Sequence, residues 1–188
     1  MEGKRMKQKK MDRRVKYTLR ALKEAMIELL QEEHISKISV VALCELADVN
    51  RSTFYAHFQD QYDLLQYITE EALKDIQSHL QDLNRNWDAD RTVQALNQIL
   101  DYVKENADVF KALLSDNCDP DIQHKVMSMT EIVSIKDYQE LDERTKNYVL
   151  SFQLTGCISI LHKWLDDGTP ETTEEMSNLI LKLTGKIE

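Results

Sequence analysis

At 188 residues the chain is long enough for one large domain or two small ones, and its 42% hydrophobic content supports a real core. Four glycines and two prolines suit long helices and exclude a turn-rich β fold. The net charge of −9 argues against a nucleic-acid partner until it is divided. Residues 1–57 hold 12 Lys/Arg against 8 Asp/Glu, a net of +4, and residues 58–188 hold 12 against 25, a net of −13, so a basic end is joined to an acidic remainder.

Lys4, Arg5, Lys7, Lys9, Lys10, Arg13, Arg14 and Lys16 crowd the first sixteen residues against Glu2 and Asp12. Residues 1–12 are expected to form a flexible basic arm that adds sequence-independent attraction for phosphate. The first helix is expected from Arg13 to Glu33, with Leu19, Leu22, Met26, Ile27, Leu29 and Leu30 in an apolar stripe at 3.6 spacing. His34 to Ile38 connects it to the next element, with Ile35 and Ile38 tucked under; His34 stands alone and has no metal role.

Val40 to Phe58 reads as two short helices joined by a tight turn, the arrangement that lays its second helix in the DNA major groove. Ser39 caps the first helix, and Val40, Leu43 and Ala47 share a face beside the small Cys44. Asp48 occupies a turn position that requires positive φ, which Asp tolerates. Val49 plugs the turn into the core and Asn50 caps the second helix. Arg51, Ser52 and Thr53 form its exposed first turn, Phe54 and Phe58 its buried face, and Tyr55 and His57 point outward. Arg51 suits a guanine edge; Ser39, Ser52, Thr53, Tyr55 and His57 suit phosphates.

Ala47-Asp48-Val49-Asn50-Arg51-Ser52-Thr53-Phe54-Tyr55-Ala56-His57-Phe58, followed by Asp60 and Leu64-Leu65, resembles the tetracycline-repressor (TetR/AcrR) family of bacterial transcription regulators over residues 13 to 75. Asp48 replaces the family's usual Gly and Cys44 its usual Ala. Gln61 stands where many members carry a phosphate-touching Lys, and can still donate a neutral hydrogen bond. The resemblance implies an all-α fold: a three-helix head over 13–76, with its motif at 39–58, and a helical regulatory and dimerisation domain over 77–188. It implies a double-stranded DNA operator read at Ser39, Asn50, Arg51, Ser52, Thr53, Tyr55, His57 and Gln61.

Asp60 caps a long helix running to about Leu83 through Leu64, Leu65, Ile68, Leu73 (or Ala72), Ile76 and Leu80. Asn84 to Asp88 is the expected domain boundary. Helices are expected from Arg91 to Glu105, from Asp108 through Leu114, and from Ile122 to about Ile132; Ser134 to Glu140 has no assignable element. Asp142 to Asp167 reads as one long helix, apolar over more than one face between Tyr148 and Leu161, and stopped by Gly168 and Pro170. Glu171 to Leu183 is a last amphipathic helix. Residues 142–167 and 171–183, paired with their copies, are expected to form a four-helix homodimer interface. Two heads then grip two half-sites of an inverted repeat.

The resemblance implies a small apolar or amphipathic effector in the C-terminal bundle. Tyr102, Phe110, Met127, Met129, Tyr148, Phe152 and Trp164 are the candidate lining, and each also reads as ordinary core. The C-terminal half further resembles regulators of the dihydroxyacetone-kinase type, whose effector can be a partner protein. Two readings therefore stand: a ligand-responsive repressor, and a coregulator or activator controlled by a protein. Catalysis is not expected. Asp121-Ile122-Gln123-His124 is a lone approach to the paired Glu-x-x-His of di-iron bundles, and phosphate-loop, nucleophile and HExxH motifs are missing. No cofactor or metal is expected. Cys44, Cys118 and Cys157 read as reduced thiols of a cytoplasmic protein, with Cys118, in a polar segment, the one candidate for a reactive sensor. The uncharged stretch from Asn147 to Leu161 is too short to span a bilayer, which needs about 20 residues.

Overall fold

The computed structural model describes residues 2–80, 89–119, 121–122, 125 and 141–185, and every element among them is a helix. These are α1 (Glu2–Glu32), α2 (Val40–Leu46), α3 (Arg51–Tyr55), α4 (Gln61–Leu80), α5 (Ala89–Glu105), α6 (Ala107–Leu114), α7 (Glu143–Asp166) and α8 (Thr173–Leu183). The expected boundary at Asn84 to Asp88, most of the helix from Ile122, the Ser134–Glu140 segment, Met127 and Met129 lie outside the described residues.

α1 begins at Glu2, not near Arg13, so the backbone of the basic segment is helical and continuous with the rest of α1. The local reason is composition: apart from Gly3, the segment is built largely of Lys, Arg, Gln and Met, which are good helix formers, and it contains no proline. The buried stripe starts at Leu22 and continues through Ala25, Met26 and Leu30. It meets Ile35, Ile38, Leu43, Phe54, Phe58, Leu64, Leu65 and Ile68 in one core. α1, α2 and α3 thus close over the first half of α4, an N-terminal helix-turn-helix unit.

α4 then runs on to pack against α5. α5 lies on α8, and α6 is sandwiched between α1 on one side and α7 on the other. Phe110 is buried under the Tyr102 ring, edge to face at 5.9 Å. The Tyr102 hydroxyl donates to Asp75 on α4 at 2.9 Å. Burial, then the Asp75 bond and charge, push the Tyr102 hydroxyl well above the usual phenol range, so it stays a donor.

α7 stops where Gly168 and Thr169 both take positive φ (82° and 55°), with Thr169 N–H donating to Trp164 O at 2.8 Å. The buried Trp164 indole reaches past this turn to donate to Glu171 O at 3.2 Å, stitching α7 to the start of α8. α8 opens with a capping box: the Thr172 hydroxyl accepts from Glu175 N–H, and the Glu175 carboxylate accepts from Thr172 N–H. Donation to it from Thr172 N–H, and from the Thr172 hydroxyl, holds the Glu175 carboxyl below the usual carboxylate range. Thr172→Ala removes the acceptor and is expected to cost about 1 kcal/mol. In a chain of this size that is a fall of about 2–4 °C in Tm, measurable by circular dichroism.

Candidate nucleic-acid interface

The turn between α2 and α3 is built as its residues dictate. Ser39 Oγ accepts from Ala42 N–H at 3.1 Å and starts α2. Asp48 sits at φ 51°, and Val49 N–H returns to Cys44 O at 2.9 Å, which closes the turn and leaves Val49 packed on the core. Asn50 Oδ1 accepts from both Ser52 N–H (2.9 Å) and Ser52 Oγ–H (2.8 Å). The Asn50 oxygen and the Ser52 proton are therefore engaged within the cap. The Asn50 amide nitrogen remains the group that cap does not use.

Phe54 is fully buried and stands 5.7 Å from the Phe58 ring, which in turn meets Tyr67 of α4 at 5.5 Å. This aromatic ladder fixes the rotation of α3 about its axis. With Phe54 pointing in, Arg51, Ser52, Tyr55 and His57 are exposed on the other side, and Thr53 is half-buried at the edge. Tyr55, 59% exposed, is braced edge to face against Phe54. Burial pushes the Cys44 thiol up, and the nearby Arg51 guanidinium pulls it the other way.

The start of α4 is held as firmly. Asp60 Oδ1 accepts from Tyr62 and Asp63 N–H, and Asp63 Oδ2 accepts from Gln59 N–H, all at 2.9 Å. Gln61 is half-buried beside this cap. Two exposed residues that the sequence reading passed over flank the named ones: Lys37, two before Ser39, and Tyr62, next to Gln61. The signal for Tyr62 was available, since an aromatic off the Leu64–Leu65–Ile68 stripe has no core to enter.

Among the described residues the candidate ligand residues divide between the core and the outside of α7. Phe110 and Trp164 are spent in the core, Tyr102 is bonded to Asp75, and Met127 and Met129 fall outside the described residues. Tyr148 and Phe152 lie on the outside of α7, 63% and 79% exposed. Their periodicity alone does not say which side turns inward in a helix that is apolar over more than one face between Tyr148 and Leu161. A groove of ≈ 540 Å³ does open at the corner between α1 and the α5–α6 junction, lined by Arg20, Glu24, Ile27, Glu28, Glu105 and Asp108 among others. Its size falls in the range of ligand sites, but its lining is mainly charged, unlike the apolar bundle pocket expected.

Cys118 is buried, not surface-exposed as a sensor thiol would be, and burial pushes its thiol up to about 12. At pH 8 the folded protein is expected to protect Cys118 from iodoacetamide, with full modification after denaturation, as read by mass spectrometry. An unfolded thiol ionises near pH 8.5. This residue's contribution to stability is therefore intact below that pH and is lost as pH rises toward 12. Among the described residues no group of His, Cys, Asp and Glu is arranged to hold a metal. Nor is any described helix long and apolar enough to cross a membrane.

Residues 90–186 match the TetR-type family described as "Transcriptional regulator C-terminal region". An HTH-type transcriptional regulator of Bacillus subtilis (strain 168), YxbF, is 33% identical over 79 residues. That match takes in 42% of this chain and 21% of YxbF, so it spans about a fifth of that protein's length. A TetR transcriptional regulator from Streptococcus agalactiae is 29% identical, covering 93% of this chain and 97% of that one with a TM-score of 0.63. The dihydroxyacetone kinase operon activator DhaS shares the fold, at 22% identity and a TM-score of 0.51 over 89% of this chain and 93% of that one. With more than half of its length matched by the family, and with the helix-turn-helix in place ahead of the matched region, the chain belongs to the TetR family of transcriptional regulators, and is a regulator and not an enzyme.

Proposed function

We propose that this chain is a sequence-specific DNA-binding regulator that works as a homodimer on an inverted-repeat operator and represses until an effector shifts its heads. The observation that carries the reading is α3 itself. A buried Phe54–Phe58–Tyr67 ladder pins a short helix whose exposed side presents Arg51, Ser52, Tyr55 and His57 together. Residues 13–76 act as the reading head, with Ser39, Asn50, Thr53 and Gln61 completing the contacts, and residues 77–188 as the regulatory and dimerisation domain. The exposed apolar residues of α7 and α8 support the pairing. The helical basic segment ahead of Arg13 adds contacts to phosphate that carry no sequence information.

The test is selection of duplexes from a random pool by the full-length protein. An inverted repeat with half-sites about one helical turn or more apart supports the reading; the absence of any enriched sequence sinks it. The selected operator also gives the salt dependence. Deleting residues 2–12 is expected to flatten the log–log slope by about 0.9 for every phosphate they neutralise. The effector is proposed to be a small molecule, and a partner protein is the competing reading. A small-molecule effector must release operator from the purified dimer without any added protein.

A further inference from the structure

Resting on the dimeric DNA-reading function proposed above, we infer that Asn117, a residue outside the helix-turn-helix, sets how strictly the dimer discriminates half-site spacing, because it fastens the α1–α2 connector to the end of α6. α6 touches both α1 and α7, so it lies between the reading head and the proposed dimer helix. Just past its end, Asn117 makes two hydrogen bonds into the head. Its side-chain amide donates to Leu30 O at 2.9 Å, and its own carbonyl accepts from Ile35 N–H at 2.9 Å.

Both partners are backbone groups that local structure does not engage this way. Leu30 O is one of the last four carbonyls of α1, which have no partner within the helix. Ile35 N–H opens the connector turn, whose own bonds run from Lys37 to His34 and from Ile38 to Ile35. Leu30 and Ile35 are also fully buried side chains, so leaving these backbone groups unpaired there is costly. The loop that carries Asn117 is itself held: Ser115 Oγ donates to Ala112 O at 2.9 Å, Cys118 N–H to Ser115 O at 3.0 Å, and the Cys118 side chain is buried.

The two bonds therefore bracket residues 30 to 35, and Ser39, the cap of α2, follows four residues later. α6 cannot turn relative to the head without carrying the connector or breaking both bonds. Two further polar ties among the described residues reach α4 from the C-terminal half: Tyr102 to Asp75, and Lys125 to Glu70 at 3.0 Å between largely exposed partners. Exposed pairs of that kind constrain weakly. Among the described residues, Asn117 adds to the packing of α6 on α1 a hydrogen-bonded tie at the entrance to the motif. Its loss frees each head to swing, and a pair of swinging heads tolerates operators that a rigid pair rejects.

The experiment uses the full-length protein, the operator recovered by selection, the same operator with its spacer one base pair longer or shorter, and a single half-site. Affinities are read by fluorescence anisotropy, and folding by thermal melting. Wild type is expected to lose about 5- to 150-fold on the altered spacers, the usual span of a coupling between sites. Asn117→Ala is expected to lose less than about threefold, with its single half-site affinity unchanged. Asn117→Asp keeps the shape but cannot donate to Leu30 O, and is expected to behave alike. The inference is overturned if both variants keep the wild-type spacer profile, if half-site affinity falls in step with the operator, or if wild type ignores the spacer. A wild type that binds no specific DNA instead removes the function on which the inference rests.

Discussion

Arg51→Ala is expected to abolish specific operator binding while leaving a folded dimer. Arg51 is the first residue of α3, exposed, and its guanidinium is engaged by no hydrogen bond or ion pair among the described residues. An arginine held in that state on a helix fixed by Asn50 and Phe54 has its five donors free for a guanine edge. One bidentate contact discriminates by about 1–3 kcal/mol, and a two-fold pair of heads makes it twice. The loss on the selected operator is then about 2–6 kcal/mol, roughly thirty-fold to more than ten-thousand-fold. Affinity for a scrambled duplex at the same salt should change far less, since phosphate contacts dominate there. Arg51→Lys separates the two roles, because it keeps the charge but not the planar fork. A lysine variant that restores full discrimination would place Arg51 on a phosphate. An alanine variant with unchanged operator affinity would show that base reading lies elsewhere on the head.

How much of this was legible in the residues depends on whether a local rule or a tertiary choice decided each position. The helix-turn-helix was legible almost atom by atom. Ser39 and Asn50 cap as their hydroxyl and amide dictate, Asp48 takes the positive φ the turn demands, and Phe54 buries because it stands four residues from Phe58. Each of those follows from short-range stereochemistry. The start of α1 was misplaced for the converse reason. Charge density reads as disorder, whereas the propensities of Lys, Arg, Gln and Met favour the helix that forms from Glu2. Which of the candidate lining residues turn inward is a long-range question. Tyr148, Phe152 and Trp164 all fit one apolar helix, and only its packing in the bundle, against α6 above all, decides that Trp164 goes inward while the other two go out. The Asn117 bonds were invisible, since Asn117 and Leu30 are 87 residues apart and neither carries a local sign of the other.

Phe152→Asp is expected to split the proposed dimer, because it puts a carboxylate in the middle of the exposed face of α7. Tyr148, Phe152, Thr155 and Ser159 are all exposed and recur at the 4, 3, 4 spacing of one helical stripe along α7. Two large rings are followed there by two small side chains, which leave room for another helix to come close. Leu179 and Leu183, 42% and 59% exposed, stand four apart on the outside of α8. A helix that buries Trp164 and Leu165 inward and still shows a phenylalanine at 79% exposure has a second side to cover. Covering it with a copy of itself brings both Phe152 side chains into the same two-fold contact. Burying one such ring gains about 1.5–3 kcal/mol, so losing both weakens association by about 3–6 kcal/mol before the desolvation of two like carboxylates is added. Sedimentation equilibrium is expected to show a monomer where wild type is a dimer. Circular dichroism is expected to show an unchanged melt at protein concentrations where wild type is also monomeric, because the substituted side chain is outside the monomer's core. Operator affinity then falls toward that of a single half-site, while half-site affinity itself holds. Retention of the dimer by Phe152→Asp would move the two-fold contact off this stripe, and the Tyr148–Phe152 face would then have to meet a different protein.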